Sequence, residues 1–396
     1  MGSLMQEGVL FTTEEMQSDI NIVFFELISA GLWGNGNPEI RINGTTDWNY
    51  IYRLAQEQSV QGIVLQGIEW FKNHYDNSNH NFNIPQVLLL QWIGEVQLIE
   101  QRNKEMNVFI AELIEKLRKN DIYALIVKGQ GVAQCYEKPL WRSCGDVDLF
   151  LSDSNYEKAK KFLVPLASEV ETEYVGSKHL GMTIDGWVVE LHGTLQCNLS
   201  RRVKGVIVDI ENNIIYGGQV RSWLNNQVQI FLPSAENDAI YIFAHFLNHF
   251  YKEGVGLRQI CDWCRLLYTY RDSLNYELLD SRIKRAGLVS EWKAFYNLAS
   301  RYLGMPDFGS GLMVHDSRFD KKADKIMEFI LKAGNMGHNR EMSYLEKYPY
   351  LIRKACSFGR RCGDLARHAR IFPLDSLRFF PRIMWNGLRS AVRGEG

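Results

Sequence analysis

The hydrophobic period of this 396-residue chain changes twice, and the two changes limit what it can fold into. After Pro85, Leu88, Trp92, Val96, Ile99, Met106, Ile110, Leu113 and Leu117 recur mostly at steps of three and four, the spacing of one long amphipathic helix. At Asp121 the period shortens. Ile122 to Val127 is a short apolar run, Asp146 to Leu151 alternates as a strand, and His179 to Ile184 and Trp187 to His192 flank Asp185-Gly186, a strong hairpin signal. Tyr156 to Val164 between them reads as a helix stopped by Pro165. From Pro233 the helical period returns, with Ser234 to Phe250, Gly256 to Tyr270, Tyr276 to Ala286 and Ser290 to Leu303 as successive helices. The pattern predicts an α+β fold in which an N-terminal helical region (1–119) and a C-terminal helical region (233–345) flank a compact α+β core (120–232).

Before Pro85, Asp19 to Leu32 and Trp48 to Phe71 are also helical in period, separated by a Gly/Asn cluster from Gly34 to Asn37 and followed by a polar run from Asn77 to Asn83. Charge is unevenly spread. Lys+Arg number 45 and Asp+Glu 46, yet from Leu351 to Gly396 ten Lys/Arg face three acids, a net of +7. This basic tail (346–396) keeps enough Leu, Phe, Ile and Trp to fold, so a solvated helical face is favoured over contact with nucleic acid or another polyanion. Residues 1–16 have neither a basic n-region nor an apolar h-region, and no window reaches the ~18 apolar residues of a spanning helix. With seven scattered cysteines, these features lead us to expect a cytoplasmic protein with reduced thiols.

The sharpest local signal is Gly145-Asp146-Val147-Asp148-Leu149-Phe150-Leu151. Residues i and i+2 of a strand share a face, so Asp146 and Asp148 project together while Val147, Leu149 and Leu151 face the other way. Two adjacent carboxylates repel unless a cation lies between them, and Mg²⁺, shared with substrate phosphates, is the usual resolution. The plainer alternative is that Asp146 merely opens a strand and Asp148 faces solvent. The preceding strand, glycine turn and helix (Ile122 to Tyr136) weigh against it, because Gly129 and Gly131 at a helix start would offer backbone N–H groups to an anion. Glu190, flanked by apolar Val189 and Leu191 on the second hairpin strand, is a third carboxylate that would need a partner if buried.

These residues resemble a known family. The series Val127-Lys128-Gly129-Gln130-Gly131, Pro139, Arg142, Gly145-Asp146-Val147-Asp148-Leu149 and Val189-Glu190-Leu191-His192 is similar to the uncharacterised bacterial nucleotidyltransferases, within the polymerase-beta-like minimal nucleotidyltransferases. Weaker likenesses upstream (Ala30-Gly31-Leu32-Trp33-Gly34, Asp47-Trp48, Leu54-Ala55-Gln56-Glu57-Gln58) extend it to roughly residues 20–300. The resemblance implies a polymerase-beta-like core, with Asp146, Asp148 and Glu190 as catalytic metal ligands for Mg²⁺ or, alternatively, Mn²⁺. It further implies in-line transfer of a nucleoside monophosphate from an NTP such as ATP to an acceptor hydroxyl of unknown identity. Gly129-Gln130 stands where the superfamily's triphosphate-holding Gly-Ser or Gly-Gly turn would be, a departure at Gln130. Lys128 and Arg142 are the expected cationic contacts to phosphate, and His179 and His192 could face the same cleft. Surface ion pairs and structural histidines are the simpler readings of those four.

Two further spacings carry less. His245 and His249 at i, i+4 lack the Glu of the protease pattern and a third ligand, and Cys261-Asp262-Trp263-Cys264 lies in a helical run where core cysteines are favoured. Arg258 and Asp262, also four apart, either face the cleft or form a helical ion pair. The competing readings of function are a non-catalytic nucleotide- or polyanion-binding regulator on the same fold, and a toxin-like transferase acting on tRNA.

Overall fold

The computed structural model describes residues 13–36, 46–74, 83–173, 178–195, 197, 199–252, 254–335 and 350–393. The stretch read for targeting signals up to residue 12, and the connections expected around 37–45 and 75–82, lie outside them. The first helices among the described residues are α1 Thr13–Trp33, α2 Trp48–Glu57, α3 Gln61–His74 and α4 Gln86–Arg118. The run Trp48 to Phe71 is therefore two helices, broken at Gln58 to Val60, where Ser59 takes φ +56°. The Asp47 carboxylate caps α2 by accepting from the Tyr50 N–H at 3.0 Å. Pro85 caps α4, the long helix that the three-four spacing predicts.

The α+β unit follows: β1 Ala124–Val127, α5 Gly129–Ala133, β2 Asp146–Leu151, α6 Asp153–Leu163, β3 Glu169–Val170, β4 His179–Ile184 and β5 Trp187–His192. The helix expected over Val132 to Tyr136 instead starts at Gly129 and is only five residues long, and α6 begins three residues before Tyr156. The strands form one mixed sheet in the order β1-β2-β5-β4-β3, with β2 and β5 parallel and every other pair antiparallel. Alternation along the strands sorts side chains between two cores. Val147, Leu149, Leu151, Val189 and Leu191 join a cluster with Ile110, Leu113 and Leu117 of α4 and Tyr156 and Leu163 of α6. Val127 and Phe150, on the opposite face, join the larger helical core. Helix α7 Arg201–Ile215 then leads to a separate hairpin, β6 Val220–Asn225 and β7 Val228–Pro233.

Among the described residues the α-helices that follow are α8 Ala235–Lys252, α9 Leu257–Tyr270, α10 Tyr276–Ala286, α11 Val289–Tyr302, α12 Asp320–Ala333, α13 Tyr350–Ala369 and α14 Pro373–Arg393. The helical regions at the two ends of the chain share one core. Trp33 Nε1 donates to the Leu303 carbonyl at 2.5 Å, and the buried Gln58 amide accepts from Leu257 N–H at 3.0 Å and donates to the Ile330 carbonyl at 3.3 Å. Such fully used buried amides fix register between elements as well as adding stability. The basic tail is held to this body through His368, whose ring packs on Phe250, Tyr251 and Phe329. Among the described residues no helix is long and apolar enough to cross a membrane.

Candidate active site

The parallel pairing of β2 with β5 sets the site. Its register puts Asp148 directly beside Glu190 and Asp146 beside Val188, so Asp146, Asp148 and Glu190 project from one face of the sheet. One carboxylate oxygen from each lies within 4.8 Å of the others. Asp148 is 2% exposed, whereas Asp146 and Glu190 are half-buried. The three acids, Lys128, Gly129 and Arg142 share a cleft of about 370 Å³ closed on its far side by α8 and α9. That volume is in the range of small-molecule sites.

Opposite charges compensate the acids unequally. Lys128 Nζ lies 2.8 Å from Asp148 Oδ1, and His192 Nε2 approaches the same oxygen at 2.7 Å. Burial alone would raise the Asp148 carboxyl, but these two neighbours hold it below its ordinary value. Glu190 behaves alike: burial pushes it up, and hydrogen bonds from His179 at 3.0 Å and His192 at 3.4 Å hold it well below the usual range. In return His192 is raised, the carboxylates outweighing its burial. Asp146 differs. The charge of Asp148, then burial, push it above its ordinary value despite Lys128. The triad thus retains unrelieved repulsion at Asp146, which a hard cation would remove, and an all-oxygen donor set is what such a cation prefers.

Lys128 reaches Asp148 because of its backbone. It precedes α5 with φ +56° and ψ −145°, and Gly129 follows at φ +42°, a left-handed conformation that favours glycine. The other two members of this turn leave the cleft. Gln130 is 1% exposed and donates to Asn103 Oδ1 on α4 at 2.7 Å, while a Cβ on Gly131 would meet the Leu232 side chain at 2.7 Å. Asn103 in turn donates to the carbonyls of Leu140 and Arg142, so Gln130 braces the cleft from behind.

Arg142 lines the cleft with its guanidinium engaged. It makes a bidentate pair with Asp262, Nε to Oδ1 at 3.0 Å and Nη2 to Oδ2 at 2.6 Å, and Tyr136 donates to Oδ1 at 2.8 Å. Arg258 and Asp262 both line the cleft, the first of the two readings their spacing allows, and Asp262 takes Arg142 as its ion-pair partner. Arg258 donates from Nη1 to the Ser143 carbonyl at 2.7 Å, and its buried Nε has no hydrogen-bond partner among the described residues. Burial, then Arg142, lower its proton affinity. Cys261 and Cys264 are free thiols in the core.

The cleft wall holds residues that spacing had not marked for this site. His245 and His249 on α8 line it with Ile242 and Phe246, their Nε2 atoms 3.2 Å apart. Burial, then Lys128 and His249, keep His245 well below its ordinary proton affinity. Ile242, His245, Phe246 and His249 follow i, i+3, i+4, i+7, one helical face mixing apolar and imidazole groups, and that mixture is the signal available in the sequence.

No curated protein and no solved structure matches the chain significantly. Residues 44–304, about two thirds of the chain, match the family described as uncharacterised nucleotidyltransferase. That match spans the acidic triad, the Lys128-Gly129 turn and the α8–α9 wall of the cleft, and the chain therefore belongs to the uncharacterised nucleotidyltransferase family.

Proposed function

We propose that this nucleotidyltransferase moves a nucleoside monophosphate from an NTP to an acceptor hydroxyl with Mg²⁺ held by Asp146, Asp148 and Glu190. The observation that carries the reading is the convergence of three carboxylates across the β2–β5 register with unrelieved repulsion at Asp146. When bound, the cations would neutralise developing charge on the transferred phosphoryl group and favour deprotonation of the acceptor. The chain's own residues supply position and countercharge. Lys128 holds Asp148 before substrate arrives and is placed to turn its ammonium to a phosphate oxygen once a cation takes that carboxylate. Arg258, which lines the cleft, offers a second charge, whereas Arg142 keeps the wall rigid through Asp262. His179 and His192 orient Glu190 and Asp148. The polymerase-beta-like character of the core and the division into regions at 119, 232 and 345 are part of this proposal.

The test is incubation with each labelled NTP, Mg²⁺ and cell extract, comparing wild type with Asp146→Asn and Asp148→Asn. Both variants should lose at least about 100-fold in labelled product, more than the loss of a ligand's outer hydrogen-bond partner costs. Full activity in both would remove the triad from the reaction.

A further inference from the structure

We infer a second cation site beside this cleft, built from His179 and His192, which do not line the cleft, and Glu190, which does, for a transition-metal dication of the Zn²⁺ class. His179 and His192 stand opposite each other in the antiparallel β4–β5 register, their ring centroids 4.8 Å apart. Both Nε2 atoms approach one oxygen: Glu190 Oε2 lies 3.0 Å from His179 and 3.4 Å from His192. A tetrahedral ion about 2.0–2.1 Å from each ligand requires donor separations of roughly 3.3–3.4 Å. The two measured separations bracket that value, and all three donors lie within 4.8 Å of one another. Small side-chain rotations admit an ion, while β4 and β5, paired over all six residues, hold the ligands' backbones.

Two imidazoles and one carboxylate form a donor set that favours Zn²⁺, Co²⁺ or Ni²⁺ over Mg²⁺. It is the converse of the adjoining all-oxygen triad. The side chains of His179, Glu190 and His192 are 26%, 27% and 11% exposed, which leaves a fourth ligand position open to solvent. The two sites share Glu190, and His192 also touches Asp148. An ion on the imidazoles therefore draws Glu190 from the triad, so Zn²⁺ and Mg²⁺ oppose each other; this consequence rests on the Mg²⁺ reading above, whereas the binding itself does not.

Co²⁺, a coloured substitute for Zn²⁺, tests the site when titrated into the metal-free full-length protein. Nitrogen-ligated Co²⁺ of low coordination number absorbs strongly in the visible, and octahedral oxygen-ligated Co²⁺ is pale. We expect one strongly absorbing Co²⁺ per chain, bleached by one equivalent of Zn²⁺. Its affinity should fall at least about tenfold in His179→Ala and in the bulkier His179→Gln, and the band should persist in Asp146→Asn, which alters only the oxygen site. A pale spectrum, or a strong band that survives loss of His179, overturns the site and leaves a charge-assisted hydrogen-bond network. Labelled-NTP transfer by wild type is assayed separately: its failure sinks the proposed function and leaves the Co²⁺ result standing.

Discussion

Lys128 Nζ lies 2.8 Å from Asp148 Oδ1, so an ammonium occupies the oxygen that a bound cation would claim. Lys128→Met removes that competitor. The buried Asp148 keeps only His192, and metal-free stability should drop by about 2–3 kcal/mol, below the 3–5 kcal/mol of a buried ion pair left with one unpaired charge. Mg²⁺ should then raise the melting temperature of the variant more than that of the wild type. Equal shifts would show that lysine and cation do not contend for Asp148.

The Arg142–Asp262 pair gives a second prediction. Both side chains are at most 7% exposed, and the two residues are 120 positions apart. Asp262→Asn leaves a buried guanidinium with a neutral partner, at a cost of about 3 kcal/mol. Arg142→Met combined with Asp262→Leu replaces both charges with apolar volume and should recover most of that loss in a urea melt. A double variant as unstable as the sum of the singles would refute the pairing.

A third prediction concerns pH. Glu291 of α11 is fully buried, and burial, then the nearby Asp375 of α14, push its carboxyl up to about 8. The folded state therefore holds a proton that the unfolded chain releases near 4.5. The resulting stabilisation is complete below about pH 4.5 and is lost as the pH rises through 8, each pH unit of that window weighing about 1.4 kcal/mol. Glu291→Gln, neutral throughout, should flatten the decline of melting temperature between pH 5 and 8. The idea fails if wild type and variant decline in parallel.

Legibility in the sequence followed the range of the interactions. The acidic strand and the Asp185-Gly186 hairpin were readable because alternation and turn chemistry are local, and β2, β4 and β5 formed where those signals lay. The β6–β7 hairpin escaped notice because its turn, Asn226-Gln227, takes φ +46° and +66° without a glycine. The break between α2 and α3 likewise lacks Gly or Pro, its left-handed residue being Ser59. Side-chain direction was hardest. Gln130 turns inward because Asn103, 27 residues earlier on α4, offers it an acceptor, and Arg142 is claimed by a carboxylate on α9. Asn103 carries no spacing signal, and the spacing of Asp262 points to Arg258 rather than to Arg142.

Two glycines of the helical body make opposite predictions for one substitution. Gly67 lies where α3 crosses α1, and a Cβ there would stand 1.9 Å from the Leu27 carbonyl oxygen and 2.7 Å from its carbon. Those atoms are backbone, so Gly67→Ala must separate the helices, and its cost should reach or exceed the upper end of the 1–3 kcal/mol typical of overpacking. Gly94, inside α4, has nothing among the described residues within 4 Å of a Cβ. There alanine only restricts the unfolded chain and improves helix propensity, so Gly94→Ala should stabilise by about 0.5–1 kcal/mol. Urea midpoints of the two variants should move in opposite directions, and a Gly67→Ala protein as stable as the wild type would mean that α1 and α3 do not approach as closely as Gly31 and Gly67 allow.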